Sequence, residues 1–573
     1  MYTAPLLEMQ FLINDVLLKD NVYAEILPTL LESANKLARD DLEPINQSGD
    51  EQGLSITRDG VVNTATGFKD AYEKYISGLW GSLQFSSDYG GQGLPFIYAI
   101  STQEMWNSAN ISWGLCPLLT QGAIEAISFG ATKDLKRQYL PKLVSGEWTA
   151  TMNLTESDAG SDLGALKTRA RRDGKHYLIK GQKVFITWGE HDMTENIVHL
   201  VLARLDDAPA GVKGISLFLV PKIIPNDSGK LEQRNDCKAV SIERKIGIHA
   251  CPTCVMSYGD DSGAIGYLVG EENKGLECMF AMMNNARLTV GLQGVSLSEM
   301  AYQQARTYCD SRVQGVAPGY SEPGPIIRHP DVERMVTLMS TLTDASRSLC
   351  YYACAELDQA KNADNSKDRE DHERRVGLLT PLVKGWCTEV AQEVVSLGVQ
   401  CHGGAGFIEE TGIGQLFRDA RILPIYEGTN GIQSMDLAFR KVLRDDGLAL
   451  MGLVQEMRSI DKVELASILS DRQIKDFQDS IEDLTITTKT IIGKSNDKQV
   501  IASIAFDFLM MSSITTAAWR LIAGALCSQK GGLEEKYSKD FLKTRITNTK
   551  NFVDIVLPRY KMHCSIVRNQ INK

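Results

Sequence analysis

Apolar residues recur at three- and four-residue spacing over residues 2–18, 22–40 and 133–143, which predicts amphipathic helices in the first quarter of the chain. The pattern changes after Trp148. Residues 149–154 alternate and are rich in β-formers, and 155–162 form a polar, glycine-bearing turn. Alternating runs return at 176–179, 183–187, 197–203, 214–220 and 254–258, which predicts a small β-domain. From about residue 275 the helical period resumes, over 276–287, 288–312, 330–362 and 376–399. The charged stretch 364–375 reads as a solvated turn or helix end. Five further helices are predicted at 448–458, 463–469, 472–493, 500–527 and 533–569. The chain is therefore expected to be mostly α with a central β-domain. Its expected domains are 1–150, 151–272, 273–442 and an extra helical region at 443–573.

With 573 residues the chain exceeds what one hydrophobic core organises. Its net charge of -11 disfavours non-specific nucleic-acid binding, which needs a basic surface. The opening Met1-Tyr2-Thr3-Ala4-Pro5 lacks the basic and apolar regions of a signal peptide. No uninterrupted run of eighteen apolar residues occurs, so no transmembrane segment is expected. Twelve scattered cysteines suit free thiols in a reducing compartment, and a cytoplasmic location is expected. Cys251-Pro252-Thr253-Cys254 is a lone CxxC with no second pair, so packed thiols are expected there rather than a metal site. His249 beside it reads as a loop histidine. The glycine-rich turn at 88–95 lacks the strand and the GK[ST] ending of a phosphate loop.

The most informative stretch is 415–440. A helix end at 417–421 leads into Ile422-Leu423-Pro424-Ile425-Tyr426, where the proline breaks helical geometry. Glu427 and Gly428 follow, and a new helix starts near Asn430. One carboxylate thus sits between apolar residues and a glycine. Burial raises a carboxyl pKa, which suits a general base near neutral pH. A helix-capping Glu beside a turn fits the same residues.

The segment RDARILPIYEGTNGIQ resembles the catalytic segment of acyl-CoA dehydrogenases. The resemblance extends in order through the chain. YGGQGLP at 89–95, the loop Thr155–Ser161, the strand Lys183–Thr187, the helix ending at Arg312 and the turn at 400–406 each match a family motif. Two departures stand out. Ser157-Asp158 replaces a Pro-Gly turn, and Ala286 occupies the position that carries the base in some relatives, leaving Glu427 as the matching base. The family's desulfinase-like members lack that base. The C-terminal extension resembles the larger members, the 3-methylmercaptopropionyl-CoA dehydrogenase type among them.

The resemblance implies an α-helical N-terminal domain, a β-barrel-like middle domain, a four-helix-bundle domain and the helical extension. It implies an FAD-dependent enzyme in which Glu427 removes the α-proton of an acyl-CoA thioester. FAD contacts carried over are Met152, Leu154, Thr155, Gly160, Ser161, Phe185, Ile186, Thr187, Arg312, Gln314, Gln400, His402, Gly403, Gly404, Thr429, Asn430 and Gly431. Substrate contacts are Ser161, Asn284, Arg287 and Gly428. Read from the pattern alone, Phe185 is a half-buried strand aromatic and Arg312 a surface helix arginine. An electron-transfer flavoprotein is the expected acceptor, and a homodimer or dimer of dimers the expected assembly. An acyl-CoA oxidase using oxygen, and a DNA-binding stress protein of the same fold, are the alternatives.

Overall fold

Helix and sheet separate along the chain as the patterning requires. The computed structural model describes residues 2–18, 21–226 and 228–571, with the side chains of Ala281 and Asn284 outside the described set. The chain forms two compact units, Ser33–Ala286 and Met1–Glu32 together with Arg287–Lys573.

The Ser33–Ala286 unit begins with helices. Phe96–Ala109 is buried along its whole length, so none of its faces meets solvent. Ile111–Gly130 follows, started by Asn110, whose side chain accepts from the Trp113 N–H at 3.0 Å. Lys133–Val144 is capped in the same way by Thr132. The region also holds a short hairpin, β1 (Ser55–Ile56) and β2 (Val62–Asn63), which the helical reading of 1–150 did not anticipate.

The β-region comprises β3 (Thr149–Asn153), β4 (Arg169–Asp173), β5 (His176–Thr187), β6 (Ile197–Leu205), β7 (Ile215–Pro221), β8 (Ile223–Pro225), β9 (Leu231–Arg234), β10 (Cys237–Ile242), β11 (Thr253–Tyr258) and β12 (Ala264–Val269). The main sheet runs β10-β11-β5-β12-β7-β6-β3, with β4 pairing β5 and β6. β8 and β9 form a separate hairpin. The two short runs expected at 176–179 and 183–187 are one twelve-residue strand, β5. Its two ends pair with different neighbours, β12 at Tyr177–Ile179 and β11 at Gly181–Thr187. Ile179, Ile186, Val201, Phe218, Val220, Cys254 and Met256 form the core of this region. Burying such side chains contributes about 1.5–3 kcal/mol each.

The second unit is helical. Gly275–Ser311 merges the two helices expected at 276–287 and 288–312. Pro330–Asn362 matches the predicted bounds. Ser366–Cys401 begins ten residues before the predicted 376 start, so of the two readings of the charged stretch 364–375 the helix end holds, as the exposed first turns of this helix. Asn365 caps it, accepting from the Asp368 N–H at 2.9 Å. Beyond the 415–440 stretch, Leu448–Arg458, Lys462–Ile468, Asp471–Gly493 and Lys498–Cys527 match the predicted helices closely. The single helix expected at 533–569 is instead Lys539–Asn551 and Arg559–Ile571, divided before Pro558-Arg559. A proline lacks the N–H that an unbroken helix needs there.

Lys498–Cys527 differs from the composition-based expectation in another way. It holds an eighteen-residue window of mean hydropathy 1.6, long and apolar enough to cross a membrane. Serines and threonines interrupt the apolar run, which is why counting apolar residues missed it. In the folded chain 67% of that window is buried inside the protein. The helix packs against Pro330–Asn362, Ser366–Cys401, Lys539–Asn551 and Arg559–Ile571.

Candidate active site

In the helical unit, Ile413–Ala420 ends at Arg421 and a run of turns follows. The next helix, Asn430–Met435, is capped by Thr429, whose hydroxyl accepts from the Ile432 N–H at 3.2 Å. The capping role read as an alternative for Glu427 is therefore filled by Thr429. Glu427 lies in the left-handed region at φ +55°, which costs a non-glycine residue on the order of 1 kcal/mol. Gly428 follows at φ +86°. A Cβ built on Gly428 would stand 2.8 Å from the Gln433 Nε2, so a side chain there would displace the Gln433 amide.

The carbonyls of this turn are held by side chains. Arg287 Nε donates to the Glu427 carbonyl oxygen at 3.4 Å, and Gln433 Nε2 donates to the carbonyls of Glu427 and Gly428 at 3.4 and 3.3 Å. Burial raises the Glu427 carboxyl above its ordinary range, and the charges of Arg287 and Lys384 oppose that rise only in part.

Asn430 is buried, and its side chain is fully engaged. It accepts from Lys384 Nζ at 2.8 Å and donates to Thr388 Oγ1, Glu389 Oε1 and the Gly385 carbonyl. These bonds tie Asn430 to helix Ser366–Cys401, so its amide is committed to the protein rather than to a ligand. Arg287 is likewise buried and bonded to the Glu427 carbonyl. Thr429 and Gly431 remain exposed, and the Asn284 side chain lies outside the described residues.

Elsewhere in this unit, the ends of Gly275–Ser311 and Ser366–Cys401 lie side by side. Tyr308 stacks on His402 with ring centroids 4.5 Å apart, and the His402 Nδ1 lies 2.7 Å from the Gly398 carbonyl. Arg312 and Gln314 are exposed and within 3.5 Å of each other. Gln400, Gly403 and Gly404 are exposed, and a Cβ on either glycine would meet open space. The main chain there is open to a ligand's approach.

The other unit gathers the second set of residues. The Val184 N–H donates to the Thr155 carbonyl at 2.9 Å, and Thr151 Oγ1 donates to the Thr187 carbonyl at 2.6 Å. Lys183 is fully buried, and its Nζ reaches Glu156 Oε1 at 2.7 Å and the Leu154 carbonyl at 3.0 Å. Glu156 also accepts from the N–H groups of Lys167 and Thr168 and from the Thr168 hydroxyl. Burial pulls the Glu156 carboxyl upward, but Lys183 and these donors bring it below its ordinary value. Burial lowers Lys183 to about 8, against the pull of Glu156.

This ionised knot fixes the loop after β3 onto β5. Neither Glu156 nor Lys183 was singled out in the sequence. The available signal was a lysine at an inward position of a strand.

A β-bulge opposite Val255 lies in this part of β5. Phe185 takes φ +60° and is 62% exposed. The bulge turns an aromatic ring out of the sheet, which a half-buried strand aromatic would not require. Ile186 has its side chain in the β-core, so only its main chain faces outward chemistry. Met152 is also buried, Leu154, Thr155 and Thr187 are partly exposed, and Gly160 and Ser161 are exposed. A Cβ on Gly160 would meet open space. An exposed ring, free hydroxyls and open glycine backbone together fit a flat, polar-edged ligand such as a flavin dinucleotide.

Comparison with known proteins adds to this geometry. Residues 28–147, 151–260 and 273–441 match the N-terminal, middle and C-terminal domains of acyl-CoA dehydrogenase. Residues 453–572 match the domain described as acetyl-CoA dehydrogenase C-terminal like. The 3-methylmercaptopropionyl-CoA dehydrogenase of Ruegeria pomeroyi is 40% identical over 595 residues, covering 100% of this chain and 98% of that one. A butyryl-CoA dehydrogenase of Syntrophomonas wolfei is 32% identical, covering 96% of this chain and 93% of its own. The crystal structure of an acyl-CoA dehydrogenase complexed with FAD from Bacillus anthracis is 20% identical. It superposes with a TM-score of 0.77 over 100% of this chain and 93% of that one. With relatives aligned end to end at this identity, the chain belongs to the acyl-CoA dehydrogenase family.

Proposed function

We propose that the protein oxidises an acyl-CoA thioester to the trans-2-enoyl-CoA, with Glu427 as the base that removes the α-proton. The observation that carries this reading is the Glu427 carboxyl, raised by burial, on a turn whose main-chain carbonyl is bonded by Arg287. An α-proton beside a thioester is weakly acidic, so a base matched to neutral pH and fixed donors near the forming enolate both lower the barrier. The Glu427 N–H supplies one such donor, and the absent side chain at Gly428 lets the thioester come close.

FAD, when bound, supplies the acceptor for the β-hydride, which no amino-acid side chain offers. Thr155, Ser161 and Thr187, with the main chain of Met152, Leu154, Gly160 and Ile186, would hold it, and the Phe185 ring would pack against its flat face. Arg312 and Gln314, with Gln400, His402, Gly403 and Gly404, would hold the dinucleotide, Arg312 through bidentate contacts to phosphate. In the family pattern this second group serves the neighbouring subunit's cofactor, which supports a homodimer at least.

The finer assignment is a 3-methylmercaptopropionyl-CoA or short- to medium-chain substrate, with electrons passing to an electron-transfer flavoprotein. It is supported by the full-length likeness to the Ruegeria and Syntrophomonas enzymes. The twelve free, buried cysteines agree with a reducing, cytoplasmic setting.

The decisive experiment compares purified, FAD-loaded wild type with Glu427→Gln, using an artificial dye acceptor and a series of acyl-CoAs. The variant should stay yellow and lose about a hundred- to ten-thousand-fold in kcat. Equal rates for the two proteins would remove Glu427 from the reaction. Peroxide formed at the turnover rate under air would reassign the acceptor to oxygen.

A further inference from the structure

Lys384 has an unusual setting for a buried cation. It is fully buried in helix Ser366–Cys401. Two other buried cations of this unit, Arg347 and Arg545, lie against carboxylates, Glu299 and Glu8 respectively. Among the described residues Lys384 has no carboxylate partner. Its Nζ donates to a neutral amide oxygen, that of Asn430, at 2.8 Å. Asn430 stands three residues after Glu427 and opens helix Asn430–Met435, and its own N–H donates to the Pro424 carbonyl at 3.0 Å. Asn430 thus ties the helix that carries Lys384, through its side-chain amide, to the turn that carries Glu427, through its main-chain N–H.

The charged groups acting on Glu427 come from two helices, Arg287 from Gly275–Ser311 and Lys384 from Ser366–Cys401. Glu389 in turn acts on Lys384, while Asp436 and Arg440 act on Arg287.

We propose that Lys384 is a positioning residue for proton abstraction, anchoring the base-bearing turn through Asn430 and, by its charge, keeping Glu427 able to ionise in the working pH range. This rests on Glu427 being the base. Burial pushes Lys384 down to about 7, with the Glu427 carboxylate foremost among the groups that hold it up. The two groups therefore titrate as a linked pair. Removing the positive charge leaves a carboxyl that ionises later, so the acid limb of proton abstraction moves to higher pH.

The test isolates the proton step. 3,3-Dimethylbutyryl-CoA has α-protons but a quaternary β-carbon, so no hydride can leave. In deuterium oxide its α C–H bond breaks, the proton passes to Glu427, and a deuteron returns from the solvent-equilibrated carboxyl with no net oxidation. Nuclear magnetic resonance follows this exchange on the FAD-loaded enzyme as a function of pD. Lys384→Gln keeps a hydrogen-bond donor without charge, and Lys384→Met fills the slot without either. Whichever retains wild-type flavin content and a cooperative melt should show its acid limb raised by about half a unit or more, roughly a threefold slower exchange on that limb. Lys384→Arg should keep the wild-type limb.

An unmoved limb in both neutral variants, or an equal shift in Lys384→Arg, would overturn the charge role and leave Lys384 as packing. If no neutral variant folds and Lys384→Arg shifts the limb, the proposal fails as well. Wild type that exchanges no faster than Glu427→Gln at any pD would sink the base assignment, and this proposal with it.

Discussion

Two residues of the proposed chemistry, Glu427 and Phe185, adopt backbone angles that L-residues seldom take, at φ +55° and +60°. Strain of that kind persists only where surrounding bonds enforce it. At Glu427 the enforcing bonds come from Arg287 and Gln433. Gly428→Ala should disturb this turn directly, because its Cβ would press on Gln433 at a positive φ. The variant is expected to fold and to lose about a hundredfold in kcat in a dye-reduction assay, the scale of a 1 Å misplacement of a catalytic group.

Glu427 stood out in the sequence because Pro424 and Gly428 punctuate it and because the segment resembles the family's catalytic motif. Lys384 and Lys183 were not, because a lysine in an apolar stretch reads as the solvent edge of a helix or strand. Only the tertiary contacts with Asn430 and Glu156 show them to be interior. The same holds for Asn430, which the family pattern offered to the cofactor and the fold keeps for itself.

Among the elements, β5 carries the clearest consequence, since its buried lysine pins the loop that follows β3. Lys183→Met leaves Glu156 buried without its cation, which costs about 3–5 kcal/mol. A lowered melting temperature together with reduced FAD content per chain is the expected result. Melting without flavin loss would separate the loop from cofactor binding.

β6 and its neighbours also carry buried histidines. Burial lowers His191 and His199 to about 3. Groups with depressed values contribute stability that is complete above the unfolded value near 6.5 and lost as pH falls through about 3. Thermal melts should therefore drop across that window, and His191→Gln with His199→Gln should flatten the slope.

Strands such as β6 and β7 were legible from their alternation or apolar runs. β4, with the sequence RARRD, and β12, which contains Gly266, were missed because charge and glycine both mask strand patterning. The start of Ser366–Cys401 was missed for a related reason. Its charged residues form helix readily once Asn365 caps them.

For the molecule as a whole, the helices beyond residue 443 belong to the same compact unit as the proposed base. The sequence pattern marks them as an addition, yet a pattern cannot show which surface an added helix covers. The N-terminal segment joins this unit through Glu8, which pairs with Arg545, while Asp344, Arg347 and Glu299 extend the buried ionic cluster. A chain ended at residue 443 should consequently fail to give soluble, yellow protein, as judged by size exclusion and absorbance. Recovery of active flavoprotein from the shortened chain would show the extension to be dispensable.

The helix Lys498–Cys527 also has a bearing on how the protein is made. It is apolar enough to pass for a membrane segment, and two of the helices that shield it, Lys539–Asn551 and Arg559–Ile571, leave the ribosome after it. For some seconds during synthesis, at about 5–20 residues per second, it is exposed without its cover. Stop codons placed within the two shielding helices, at 539–551 or 559–571, should therefore yield aggregates and chaperone clients rather than slightly weakened enzyme.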